Sequence, residues 1–86
     1  MQKQKSSDQA IVLAERQGET AGICVSYHLE FANGFWIVAR YGTEMTRVFV
    51  GHALGVAWEI FLAVSAGGVT PCALDDICAD LLWLHR

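Results

Sequence analysis

Charge is scarce in this 86-residue chain: Asp, Glu, Lys and Arg make up 17% of it, where ordinary globular domains carry about 25%. A surface so poorly charged favours association. Basic residues are the scarcest. Six Lys and Arg stand against nine Asp and Glu, for a net charge of −3, and beyond residue 52 only Arg86 opposes Glu59, Asp75, Asp76 and Asp80. Binding to a phosphate backbone needs a basic stripe, so nucleic acid is not an expected partner. The cysteines Cys24, Cys72 and Cys78 are odd in number and have no CxxC spacing. With no signal-peptide pattern ahead of them, they read as reduced thiols in a cytoplasmic setting. Internal repeats, low-complexity segments and linkers are also lacking, and the length allows one domain and excludes a multi-domain enzyme.

Apolar residues are abundant instead, at 53% of the chain. Residues 53–66 (ALGVAWEIFLAVSA) hold eleven apolar side chains in fourteen positions and one charge, Glu59. A helix built from them has almost no face that wants water. A chain this short buries only about two thirds of its unfolded surface, and oligomerisation is a common supplement to so thin a core. We therefore expect a homodimer whose seam includes Gly55, Trp58, Glu59, Phe61 and Leu62. Glu59 shares a face with the small residues Gly55, Ala63 and Ala66 and needs a partner such as Arg40, Arg47 or His52. A membrane span is not expected from residues 48–69. Glu59 near the middle costs about 2.5–3.5 kcal/mol on insertion scales. The glycines at 51, 55, 67 and 68 leave about 16 good helical residues where about 20 are needed.

The first half reads as strands. Residues 1–9 are polar and aperiodic, a loose terminus. Residues 10–15 are short enough for strand or helix, and a turn at Gln17-Gly18-Glu19 favours strand. In about 21–32 the alternation sets Ile23, Val25, Tyr27, Leu29 and Phe31 on one face, with Cys24, Ser26, His28 and Glu30 on the other. Asn33-Gly34 signals a two-residue hairpin. That loop sets Phe31 opposite Trp36, Leu29 opposite Val38 and Tyr27 opposite Arg40, with Glu30–Ile37 and His28–Ala39 on the other face. Strands at 35–41 and 45–50 complete a meander, with Gly42-Thr43 and Thr43-Glu44 both open as the turn between them.

Helices are expected at about 52–66 and 71–85. Gly67-Gly68 supplies a left-handed C-cap to the first, and Thr70-Pro71 an N-cap and first-turn proline to the second. Leu74, Ile77, Cys78, Leu81 and Leu82 form its core stripe. Asp75 and Asp76 are read as lying in the opening turn, where the helix dipole favours carboxylates. Asp76, Asp80 and Trp83 share one side, a candidate surface for a further protein partner. The fold class is α+β: a three- or four-stranded antiparallel meander followed by two helices on one face.

Catalytic, cofactor and metal sites are not expected. Cys24 and His28, four apart on a strand, are separated by roughly 13 Å, too far to share a metal. Cys72 and Cys78 are about 600° apart around a helix. Cys72 at a helix start with His52 lacks a third, orienting group. Two further readings stay open beside the interaction module: a small enzyme or ligand-binding domain with a pocket between sheet and helices near Tyr27, His28 and Arg40, and a nucleic-acid-associated factor built on the terminal helix pair.

Tyr27-His28-Leu29-Glu30 and the ending Val69-Thr70-Pro71-x-x-Leu74-x-Asp76-Ile77-x-x-Asp80-x-Leu82 resemble a family of small uncharacterised Firmicutes proteins. That family carries a Y-G-I-E strand motif and a V-T/S-P-x-H-L-x-D-V-I-E-D-x-L ending. The resemblance covers about residues 25–84, with His28 and Ala73 where the family has Gly and His. It implies strands followed by helices and a bacterial cytosolic setting, and no particular activity.

Overall fold

The computed structural model describes residues 10–85. The expected loose terminus, residues 1–9, lies outside the described residues, as does Arg86. Four strands, β1 (Ile11–Thr20), β2 (Ile23–Phe31), β3 (Phe35–Tyr41) and β4 (Glu44–Phe49), form one antiparallel sheet in chain order. Two helices follow, α1 (Leu54–Ala66) and α2 (Pro71–Leu84). The fold is α+β, as the change of period after residue 52 predicts.

Tyr27, Leu29 and Ile37 from one face of the sheet share a core with Ile60, Phe61 and Val64 of α1 and Leu74 and Cys78 of α2. Both helices therefore cover the same face. The buried positions Ala57, Ile60, Phe61 and Val64 follow i, i+3, i+4, i+7, so α1 has an inner stripe despite being apolar all round. Tyr27 ties sheet to helices: its hydroxyl donates to the Val69 carbonyl at 2.7 Å. Gly18 of β1 lies against the same ring, and a Cβ there would come within 2.6 Å of the Ser65 carbonyl oxygen. Only the absence of a side chain lets β1 approach the end of α1.

The register departs from the two-residue hairpin. Phe31 pairs with Phe35, Leu29 with Ile37 and Tyr27 with Ala39, so the loop is Ala32-Asn33-Gly34. Asn33 and Gly34 do carry the positive φ values, 55° and 121°, but one more residue enters the turn. Burial decides the outcome. The shorter loop would set Arg40 on the core face opposite Tyr27, an unpaired charge among apolar side chains. The longer loop turns Phe35, Ile37 and Ala39 inward and leaves Arg40 outside.

The turn expected at Gln17-Gly18-Glu19 is also displaced. β1 continues through these residues, pairing Gly18 with Val25 and Thr20 with Ile23. The tight loop is Ala21-Gly22, both with positive φ, 51° and 79°. Between β3 and β4 the loop is Gly42-Thr43, since Tyr41 pairs with Glu44.

At the helix ends, Thr70 holds the extended N-cap position of α2 with Pro71 in its first turn, but its hydroxyl lies 3.3 Å from the Cys72 sulfur and makes no capping bond to the backbone. Gly68 takes the left-handed conformation after α1. Its N–H donates to the Ser65 carbonyl at 3.4 Å, and that of Val69 to Val64 at 3.3 Å, the paired bonds of a Schellman ending. No acidic side chain occupies the first turn of α2. Asp75 and Asp76 stand one turn further on, too deep for the free N-terminal donors. The free donors of the first turn therefore do not account for these carboxylates.

Candidate functional site

The outer face of the sheet, turned away from the helices, carries a cleft of about 630 Å³ lined by Val12, His28, Glu30, Trp36, Val38, Arg40, Met45 and Arg47 among others. Cross-strand pairing places these side chains. His28 of β2 and Arg47 of β4 both stand opposite Val38 of β3, and Arg40 lies two residues along from Val38. Val38 is buried beneath them, although it lies outside the helix-side core.

The charged groups here are not equivalent. Arg47 donates from Nε to the Glu30 carboxylate at 3.2 Å, and its guanidinium lies 3.9 Å from the centroid of the Trp36 ring. Trp36 in turn donates its indole N–H to the Ala32 carbonyl at 2.9 Å. His28 Nδ1 is 3.9 Å from Glu30, an ion-pair distance rather than a hydrogen bond. Arg40 reaches only the Met45 sulfur, at 3.5 Å, a weak acceptor.

A second concavity is apolar. Leu13, Leu29, Leu54, Gly55 and Trp58 line a groove of about 470 Å³ between β1 and the start of α1. Leu13 is the residue passed over where the β1–β2 register shifts between Val12 and Ala14, and such a bulge re-aims a side chain. Leu54 and Trp58 are 55% and 42% exposed, a large apolar presence at the rim for so short a chain. Beside the groove runs the outer edge of β1, which pairs with no strand among the described residues.

The expected dimer residues divide. Gly55, Trp58 and Glu59 are exposed on α1 and Leu62 is half-buried. Phe61 is fully buried and is removed from the seam, because the helical period points it at the core with Ile60 and Val64. Glu59 pairs with His85 at 3.4 Å, not with Arg40, Arg47 or His52; those three belong to the far side of the sheet and its end. Asp76, Asp80 and Trp83 are all exposed on α2, Trp83 at 67%.

The expected pocket of Tyr27, His28 and Arg40 does not form. Tyr27 faces the helices, and His28 and Arg40 meet on the opposite side of the sheet. Alternation along β2 already separates Tyr27 from His28, a signal present in the sequence. Trp36 and Val38 join the cleft through the register of the 31–35 loop, and Met45 and Arg47 through that of the 42–43 loop, neither of which the sequence alone decides. Among the described residues no three His, Cys, Asp or Glu side chains gather to hold a metal ion, and no helix is long and apolar enough to cross a membrane.

Scans of this chain against protein-family models, curated proteins and solved structures found no significant match.

Proposed function

We propose that this chain is a small homodimeric interaction module of a reducing, cytoplasmic setting, with its seam in the groove between β1 and α1. The observation that carries the reading is the apolar groove of Leu13, Leu29, Leu54, Gly55 and Trp58, set against a strand edge left unpaired among the described residues. A second copy of the chain covers both features at once, since an isologous contact brings groove to groove and edge to edge. Gly55 adds support. A Cβ at this position would meet nothing within 4 Å, so packing within the chain does not call for glycine in this first turn of α1. Close approach of another backbone gives it a purpose.

The exposed Asp76, Asp80 and Trp83 of α2 stay outside this seam and form the surface for a further protein partner. The three unpaired cysteines support the reducing setting. The same reading groups the chain with the Firmicutes proteins its Tyr27–Glu30 strand and α2 resemble.

Sedimentation at low micromolar protein is expected to return twice the 9.4 kDa chain mass. Leu54→Glu and Trp58→Glu are each expected to give the single-chain mass with unchanged far-ultraviolet circular dichroism. A parent mass near 9.4 kDa would refute the proposal.

A further inference from the structure

We propose that the outer-face cleft is a binding site for a small organic carboxylate with an apolar body, held by Arg40. The chain is net acidic, and its described residues contain three arginines, Arg16, Arg40 and Arg47. Two of the three line this one cleft, joined by His28 from a third strand. The acid that lines it, Glu30, is already engaged by Arg47. Glu15 stands across from His28 on β1, beyond the lining of the cleft. A cationic hollow on an anionic molecule selects for an anion.

Within that hollow the donors available to a ligand are few and specific. Arg47 is committed twice, to Glu30 and to the Trp36 ring. Arg40 meets no carboxylate among the described residues and touches only the Met45 sulfur. Its planar fork matches one carboxylate in a bidentate pair. One free fork with a neighbouring imidazole suits a monoanion better than a phosphate dianion. Val12, Val38 and Met45 supply apolar walls, and the volume of about 630 Å³ lies in the range of small-ligand sites. A bare anion such as acetate would leave those walls wet, so the ligand carries an apolar group of several carbons. The proposal does not rest on the homodimer: the two share β1 through Val12, but the groove lies on the helix side of the sheet and the cleft on the opposite side.

The test is a ¹H–¹⁵N NMR titration of the full chain with phenylacetate, compared with phenylacetamide, acetate and inorganic phosphate. Phenylacetate is expected to shift the Trp36 indole N–H and outer-face residues of β2–β4 saturably, with a dissociation constant on the order of 1 mM. Phenylacetamide, acetate and phosphate are each expected to bind about tenfold more weakly or less. Arg40→Gln, at an exposed side chain that the fold does not use, is expected to weaken phenylacetate about tenfold, a loss typical of one charged bidentate partner. Arg16→Gln is expected to leave it unchanged. Lack of saturation, equal binding of phenylacetamide or phosphate, or an unaltered Arg40→Gln titration would overturn the proposal. So would Trp36 shifts that follow protein concentration and ignore phenylacetate, which would assign the outer face to a second copy.

Discussion

Cys78 sits fully buried on the inner stripe of α2, beneath the sheet and beside Leu74. Burial, with a smaller contribution from Asp75, pushes its thiol from 9.0 up to about 11. The folded state thus holds the neutral thiol where the unfolded chain has released its proton. A group whose pKa is raised on folding contributes fully below its unfolded value and loses that contribution as pH climbs to its folded value. Stability should therefore fall between pH 9 and about 11, by on the order of 2–3 kcal/mol from this thiol. Tyr27, also raised, chiefly by burial and then by Cys24, acts in the same direction at the alkaline end. Urea midpoints measured across that window should drop in the parent. In Cys78→Ala they should start lower, because of the cavity, yet fall less steeply. Parallel slopes in the two proteins would show that the buried thiol does not set the alkaline limit.

Elements were legible where a period or a cap marks them. The alternation from Ile23 to Leu29, the Thr70-Pro71 start and the Gly67-Gly68 ending each fall where the structure has them, although Thr70 marks the start by position and by the proline after it, without a side-chain capping bond. Turns are less legible, because loop length is set by which side chains the strands must bury as well as by the turn residues. Asn33-Gly34 carries the residue types of a tight two-residue loop, but tertiary burial of Phe35 and Ile37 overrides it and draws Ala32 into the turn. Two-residue loops occur instead at Gly42-Thr43 and at Ala21-Gly22, the latter with alanine at a φ of 51° that L side chains avoid. Left-handed backbone costs alanine roughly 1 kcal/mol, and asparagine tolerates it better. Ala21→Asn is accordingly expected to raise stability by about 0.5–1 kcal/mol, read as a higher urea midpoint at constant slope. Ala21→Val, branched at the same strained position, should lower it. A lower midpoint for Ala21→Asn would mean that the loop is held in its shape by something other than its own backbone preference.

The whole molecule is a slab of 44 × 33 × 19 Å. Its radius of gyration is 13.0 Å, where a compact chain of this length gives about 12 Å. One layer of helices on one layer of sheet accounts for that flatness and, among the described residues, leaves the second sheet face and the β1 edge uncovered. The apolar excess of α1 is the sequence feature from which a partner is proposed. The groove on which that proposal rests was not legible, since Leu13 reaches it only through a bulge and Phe61 turns inward with the helical period. If the seam is the β1–α1 groove, unfolding is coupled to dissociation and the melting temperature depends on protein concentration. Unfolding entropy near 2.1 cal/mol/K per residue, summed over two chains, converts a tenfold concentration step into a rise of roughly 4 °C. The parent is expected to show this rise between low and high micromolar protein, and Trp58→Glu to melt at a fixed temperature. A melting temperature independent of concentration in the parent would remove the homodimer. A rise retained in both Trp58→Glu and Leu54→Glu would keep the dimer and move its seam off the groove, making the outer sheet face the next surface to mutate.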